Sequence, residues 1–474
     1  MTKSKTFKTL AVSSPQDLLF GFSPKPVNCG FDLTIGNGTV FPEVNFTLPV
    51  MNITQATWPE VLAHYEEMAT NILKRAVAMK VPGIVLEFEQ LPQMTETPEW
   101  GAEITALLER HLKQAYEKYG LKGAARITPA DIRGPAGVKG VKPVMRHGEL
   151  WEKLNRSFDL CIAAGGDLIS IESIGAKEVH DEGLMYGDTR AIVFSLGVLA
   201  CRDMTWLWDQ IVAKCEKNGH SVAAGDTACG FANTSMVLAY QKMLPDVVAA
   251  VDRAMCGVRT LKAVESGARG PSKDCGYENP IVKAISGIPI SQEGKSATCA
   301  HFSHVGNISA SMCDLWSNES VQNIRLLSGN APEAYTELLA YDCKLMNIAN
   351  SHKQGHIFQS WMVESDQNVT AVGTILTPEA VYNIAKAIVA EDTDYHRTVA
   401  AGKAALAIIQ KSVDSKKLVL GKKELTWLER LHKEFAALPK DENVLTEEIT
   451  GTLGHLFDPE CYGLPVHATA GSAR

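Results

Sequence analysis

The sequence predicts an α/β chain: a (β/α)8 TIM barrel with an irregular N-terminal arm and additional C-terminal helices. Three observations predict it. From residue 57 to about residue 360, short apolar runs alternate with amphipathic stretches, the pattern of a parallel sheet covered on both faces. Eight of those runs read as strands, the number that closes such a barrel. The final hundred residues lose the alternation and read as amphipathic helices alone. The arm is placed at residues 1–55, the barrel at 56–375 and the helical segment at 376–474.

Taken in order, the first fifty residues are rich in Gly, Pro, Asn and Phe, with turn signals at 28–30 and 35–38, the second a hairpin loop. Thr57 is an N-cap and Pro59 sits in the first turn of a helix to Met79. Residues 83–89 form a strand that ends on two carboxylates, Glu87 and Glu89. Thr97, Pro98 and Gly120 punctuate the next helix in the same way. Further strands are expected at 124–128, 168–172, 191–196, 221–224, 261–265, 288–290 and 357–360. Helices are expected at 151–158, 203–218 and 236–243, then at 378–391, 395–411 and 423–438.

Composition narrows the function class. The 474 residues are 45% hydrophobic and 21% charged, as in an ordinary globular protein. A net charge of -8 argues against a nucleic-acid partner, which calls for a basic face. No run reaches the ~20 apolar residues of a membrane span, and no apolar segment follows the first lysines as in a signal peptide. Eleven scattered cysteines do not make a disulfide framework; they fit a reducing cytoplasm.

The chemistry-bearing stretch is Gly225-Asp226-Thr227-Ala228-Cys229-Gly230, where a strand gives way to a small-residue turn. Two others resemble it in placement. Glu172 stands in the apolar run 169–174, where a carboxylate is costly to bury unpaired, and Cys275 lies in Lys273-Asp274-Cys275-Gly276. In a barrel the reactive residues sit at the C-terminal ends of the strands, so Glu172, Cys229 and Cys275 would meet at its mouth and hold one metal ion. Spacing alone is no zinc signature: there is no Cys-x-x-Cys and no His-x-x-x-His, and both thiols also read as small buried hydrophobes. Cys299, His301 and His304 form a rival cluster without a helix to align them, and His352 and His356 straddle Gly355. The glycine-rich run 134–140 matches neither a phosphate-binding loop nor a dinucleotide fingerprint and reads as a loop over the mouth. Loops 135–145 and 181–190 are the places where a lid is expected.

The segments 169–173, 225–234 and 273–280 resemble those of the methanol:corrinoid methyltransferases, zinc subunits of the methanol-specific systems of methanogenic archaea and acetogenic bacteria, and the resemblance spans nearly the whole chain. It implies a barrel with added helices docked on a separate corrinoid-binding subunit and self-associated within that complex. It also implies one zinc ion per chain on Glu172, Cys229 and Cys275. The reaction implied is transfer of methanol's methyl group to Co(I) of the partner's corrinoid, with Asp226, Asp181 and Glu278 as candidate proton donors to the departing oxygen. Two thiolates and a carboxylate leave such a zinc site less negative than three thiolates would, which suits a Lewis acid towards an alcohol. Two other readings stand beside it. One is a barrel methyltransferase for a methylated amine, thiol or aryl ether; the other is a non-catalytic scaffold for the corrinoid subunit.

Overall fold

A computed structural model describes residues 6–134, 142–294, 304–327 and 329–464. Seven parallel strands form its central sheet: β3 (Phe41–Thr47), β4 (Ile84–Glu89), β5 (Gly123–Thr128), β6 (Leu168–Ile171), β7 (Val222–Asp226), β8 (Ser291–Glu293) and β9 (Leu315–Val321). β9 pairs with β3 and β8 with β9, so the sheet curls back on itself. An extended segment, 269–272, fills the remaining gap. Arg269 and Gly270 donate their backbone N–H groups to Ala223 and Ala224 of β7, and Ser272 bridges to Ile290 beside β8. Counting that segment, eight positions close the ring in chain order, each followed by a helix, as expected of the (β/α)8 barrel. Those helices are Trp58–Met79, Pro98–Tyr119, Glu149–Ala163, Cys201–Asn218, Asp246–Glu265, Asn279–Ser286, Gly306–Ala310 and Ala331–Ser351.

Three of the expected strands are helical. Residues 191–196 begin a continuous helical run, Thr189–Asn218, which is apolar enough to cross a bilayer but has 83% of its apolar window buried in the fold. Residues 261–265 are the last turn of Asp246–Glu265, and 357–360 lie inside the helix Gly355–Asp366. The common cause is burial on all sides: a helix that is enclosed loses its polar stripe, and a five-residue window of it reads like a core strand. Conversely, Phe41–Thr47 lies in the segment read as an arm, yet it sits between β4 and β9 with every residue but the last buried. β9 was not anticipated at all; its run Leu-Trp-Ser-Asn-Glu-Ser-Val is half polar because its inward residues are polar.

The interior is layered. At the N-terminal end of the barrel, Phe41, Val85, Ala124, Leu168, Val222 and Leu315 make an apolar floor. The antiparallel hairpin of β1 (Phe22–Cys29) and β2 (Leu33–Asn37) plugs it from below, adding Val27, Cys29, Leu33 and Ile35 to the same cluster. Above the floor the barrel is charged: Glu43, Glu87, Arg126, Lys273 and Asp274 are all fully buried. On the outside, the helices Pro378–Val389, Asp394–Asp414 and Lys422–Ala436 share one apolar core with the barrel helix Asp246–Glu265. These match the three C-terminal helices expected from sequence.

The plug gives a test that leaves the mouth untouched. Truncating Ile35, wholly buried in the floor, to Ala is expected to cost about 2–5 kcal/mol. The denaturant midpoint should fall while metal content stays unchanged.

Candidate metal centre and active site

β6, β7 and the segment 269–272 are three adjacent positions of the ring, and each delivers one side chain to the mouth. Glu172 follows the last residue of β6, Cys229 opens a π-helical turn three residues after β7, and Cys275 lies three residues past the short segment. The ligand atoms of Glu172, Cys229 and Cys275 all lie within 4.8 Å of one another. The Cys275 thiol donates to Glu172 Oε1 at 2.6 Å. Burial and the neighbouring acids push both thiols up. Cys229 is lowered by its hydrogen bond with Cys275, yet burial, Glu172 and Glu293 carry it to about 12. Cys275 stands well above the usual thiol range, chiefly through burial. A divalent cation in their midst would displace those protons, which is how thiolate sites form.

The turns that carry the two cysteines touch closely. A Cβ on Gly276 would lie 2.8 Å from Thr227 Cγ2 and 2.9 Å from Glu278, so no larger residue fits there. Gly230 is freer, since a Cβ would meet only Lys177 at ordinary contact distance. Asn233 ties the turns together: its Nδ2 donates to Cys229 Sγ at 3.4 Å and to the Cys275 carbonyl at 3.1 Å. The Thr227 hydroxyl lies 3.1 Å from Cys275 Sγ.

The three expected proton donors fall around this centre, and all act as acceptors. Glu278 is wholly buried and takes hydrogen bonds from the Ala228 N–H at 2.7 Å, Thr260 at 2.8 Å and Arg253 at 2.6 Å, which fixes the approach to Cys229. Arg253 also grips Asn233 Oδ1. Asp226, at the end of β7, accepts from Trp208 Nε1 at 3.0 Å, from the Ser173 N–H at 3.3 Å and from Arg259 at 3.4 Å. Burial pushes its carboxyl up to about 6 against the pull of Arg259. Its place beside Ser173 anchors the turn that carries Glu172. Asp181 is half exposed on the helix Lys177–Tyr186, ion-paired with Lys177 and held below the ordinary carboxylate range.

Beneath the ligands stands a residue that sequence reading passed over. Lys273 Nζ lies 2.7 Å from Asp274, 3.0 Å from Glu87, 3.2 Å from Glu172 and 3.8 Å from Glu89. Burial alone would discharge it, but Asp274 and Glu87 hold it well above the ordinary lysine range. A second acidic group, Glu43, Glu87 and Asp274, shares this layer with Lys273 and Arg126. Burial raises Glu87 well above the usual carboxylate range, and the two cations stand among these three acids. Arg253 and Arg259 had a signal, as guanidinium groups inside an apolar helix; Asn233 and Lys273 had none beyond standing in the quoted motifs.

Of the rival clusters, Cys299 and His301 lie outside the described residues, as do 135–141 of the glycine-rich loop. His352 and His356 are exposed and join no metal-sized group among the described residues. The stretch 181–190 is largely helical, at the junction of Lys177–Tyr186 and Thr189–Phe194.

Comparison with known proteins shows the family and the fold. Residues 4–463 match the family model of the methanol-cobalamin methyltransferase B subunit, MtaB. The chain belongs to that family. It is 34% identical over 467 residues to the methanol–corrinoid protein co-methyltransferase of Methanosarcina barkeri, covering 97% of this chain and 99% of that one. The crystal structure of the methanol:cobalamin methyltransferase complex MtaBC from Methanosarcina barkeri superposes with a TM-score of 0.92, over 97% of this chain and 100% of the matched one.

The Arg253 bridge is testable without substrate. Arg253→Met leaves Glu278 as an unpaired buried carboxylate and is expected to destabilise the fold by about 3–5 kcal/mol. The double variant Arg253→Met/Glu278→Gln, which removes the stranded charge as well, should recover a large part of that loss in the same denaturation measurement.

Proposed function

We propose that this chain is the methanol-activating subunit of a methyltransferase, and that it moves the methyl group of methanol onto Co(I) of a corrinoid carried by a partner protein. The observation that carries this reading is the convergence of Glu172, Cys229 and Cys275 at the mouth of a barrel of the MtaB family. The donor set fits zinc: two thiolates and one carboxylate supply three ligands and leave a fourth position for substrate. A zinc ion held there supplies a Lewis acid that draws charge out of methanol's C–O bond.

The chain's own residues do the rest. Asn233 and Thr227 hold the two sulfur atoms in register. Lys273 pins Glu172 from below, and its positive charge offsets one of the three formal negative charges of the ligand set. The three ligands stand at the C-terminal ends of the strands, the side from which a corrinoid would approach the methyl carbon. The Methanosarcina barkeri relative was solved as a complex named methanol:cobalamin methyltransferase MtaBC, which supports a separate corrinoid subunit here. Transfer from a methylated amine, thiol or aryl ether has no observation of its own in this structure, and neither has a purely scaffolding role.

Metal analysis of the purified chain is expected to return about one zinc per chain. Cys229→Ala and Cys275→Ala should each lose zinc and methanol-dependent methylation of cob(I)alamin together. Full zinc retention in both variants would refute the ligand assignment, and equal cob(I)alamin methylation with and without methanol would refute the activity.

A further inference from the structure

The chain leaves Glu172 through a short turn and enters the helix Lys177–Tyr186, which packs on the turn Cys229–Asn233. Two contacts place it there. A Cβ on Gly230 would lie 3.5 Å from Lys177 Cε, and the His180 ring stands 5.0 Å from the ring of Phe231, at 67°. Phe231, two residues past Cys229, is wholly buried. Arg259 Cζ lies 4.6 Å from the centre of the same ring. Arg259 in turn donates to the Ser173 carbonyl at 2.7 Å, beside Glu172, and to the Thr227 carbonyl at 2.9 Å, two residues before Cys229. Phe231 and Arg259 together thus join the backbone next to Glu172 to the backbone next to Cys229.

His180 is the other support of that ring. It is wholly buried, and so is Asp252, whose Oδ1 lies 2.9 Å from His180 Nε2. Burial alone would discharge the imidazole; Asp252, and Asp181 at 3.8 Å, outweigh it and raise it. A buried pair of this kind is a weak source of stability, because desolvation consumes what the attraction returns. What it adds over two apolar side chains is direction: a hydrogen bond fixes the rotation of the imidazole, and the imidazole is a surface on which Phe231 rests. We propose that His180 is a positioning residue of the metal centre: held by Asp252, it seats Phe231 and so fixes where Cys229 Sγ stands relative to Glu172. The pair belongs to a series along the helix Asp246–Glu265, where Asp252 reaches His180, Arg253 reaches Glu278, and Arg259 reaches Ser173.

The inference rests on Glu172, Cys229 and Cys275 as a metal site, and its test keeps the two apart. His180→Leu/Asp252→Leu replaces the pair by apolar side chains, a change that as a rule leaves stability unchanged or higher. In the full chain, zinc affinity should fall about 10–100-fold. With cobalt(II) in place of zinc and no corrinoid partner present, the thiolate-to-metal absorption should shift. Phe231→Leu should do the same with the pair intact. All three changes together should lose little more than the larger of the two, because His180 acts through Phe231. In the metal-free chain, the amides of 229–233 should exchange with deuterium faster in His180→Leu/Asp252→Leu, while those of the floor strands keep their rates. His180→Gln, which keeps a donor for Asp252 but no ring, serves in the same measurements if the double variant does not fold. Wild-type zinc affinity and an unshifted cobalt spectrum in a folded variant would overturn the proposal, and so would fully additive losses. A wild-type chain that takes up no metal would sink the ligand assignment instead. The exchange rates of 229–233 would then still decide, and unchanged rates in the variant would overturn the role of His180.

Discussion

One ammonium group organises the chemistry of this barrel. Lys273 reaches Asp274, Glu87 and Glu172 within hydrogen-bonding distance, and it is wholly buried. A lone lysine in such a place would lose its proton; Lys273 and Asp274 stay ionised because each supplies what burial removes, while burial pushes Glu87 and Glu172 up. Asp274, held at about 2 chiefly by Lys273 against burial, is the firmest member of the set. The floor of the barrel makes this possible. The hairpin of β1 and β2 seals the N-terminal end by apolar packing, so the charged layer is closed off from below. The ligand set therefore sits on a rigid, electrically compensated base rather than on loops free to adjust.

That arrangement brings Glu172 and the two thiols side by side on a charged base. Glu172 and Cys275 share a hydrogen bond, and the same Glu172 oxygen faces Lys273. Beyond them a second set of contacts fixes the backbone: Glu278 on the Ala228 N–H, Asp226 on the Ser173 N–H, and Arg253 and Arg259 on those two acids. Glu172 and Cys229 are thus each held at the residue beside them by a buried acid, and each acid is paired with an arginine from the helix Asp246–Glu265. Asp226 and Glu278, two of the three residues read as proton donors, are the joints of this frame. Their hydrogen-bond capacity is spent on geometry, which metal sites require of the groups around the ligands.

The sequence was legible where one face of an element meets water. The helices Trp58–Met79 and Pro98–Tyr119 and the three long C-terminal helices follow their apolar stripes, and the helix stops at Met79 and Gly120 follow their caps. Legibility failed where both faces are enclosed. Asp246–Glu265 is buried almost throughout, so its last turn read as a strand, while the true ring position at 269–272 is too short to carry a pattern. β9 failed for the opposite reason: Ser317 and Glu319 face a polar interior, and an inward polar residue imitates a solvent-facing one. The barrel count of eight survived because strands misplaced at 191–196, 261–265 and 357–360 were offset by Phe41–Thr47, 269–272 and Leu315–Val321. The convergence of Glu172, Cys229 and Cys275 was legible for a better reason. A glutamate in an apolar run and a thiol beside glycine at a strand end are local signals, and they do not depend on which neighbouring strand was drawn correctly.

What local signals could not give is the charge balance, because that is a property of the closed ring. Glu87 and Glu89 come from β4, Glu172 from the end of β6, and Lys273 and Asp274 from the sixth position, and nothing in one segment says that they meet. Once the ring closes, Lys273 and Asp274 hold each other ionised, while burial pushes Glu87 towards its protonated form although it lies 3.0 Å from the same ammonium.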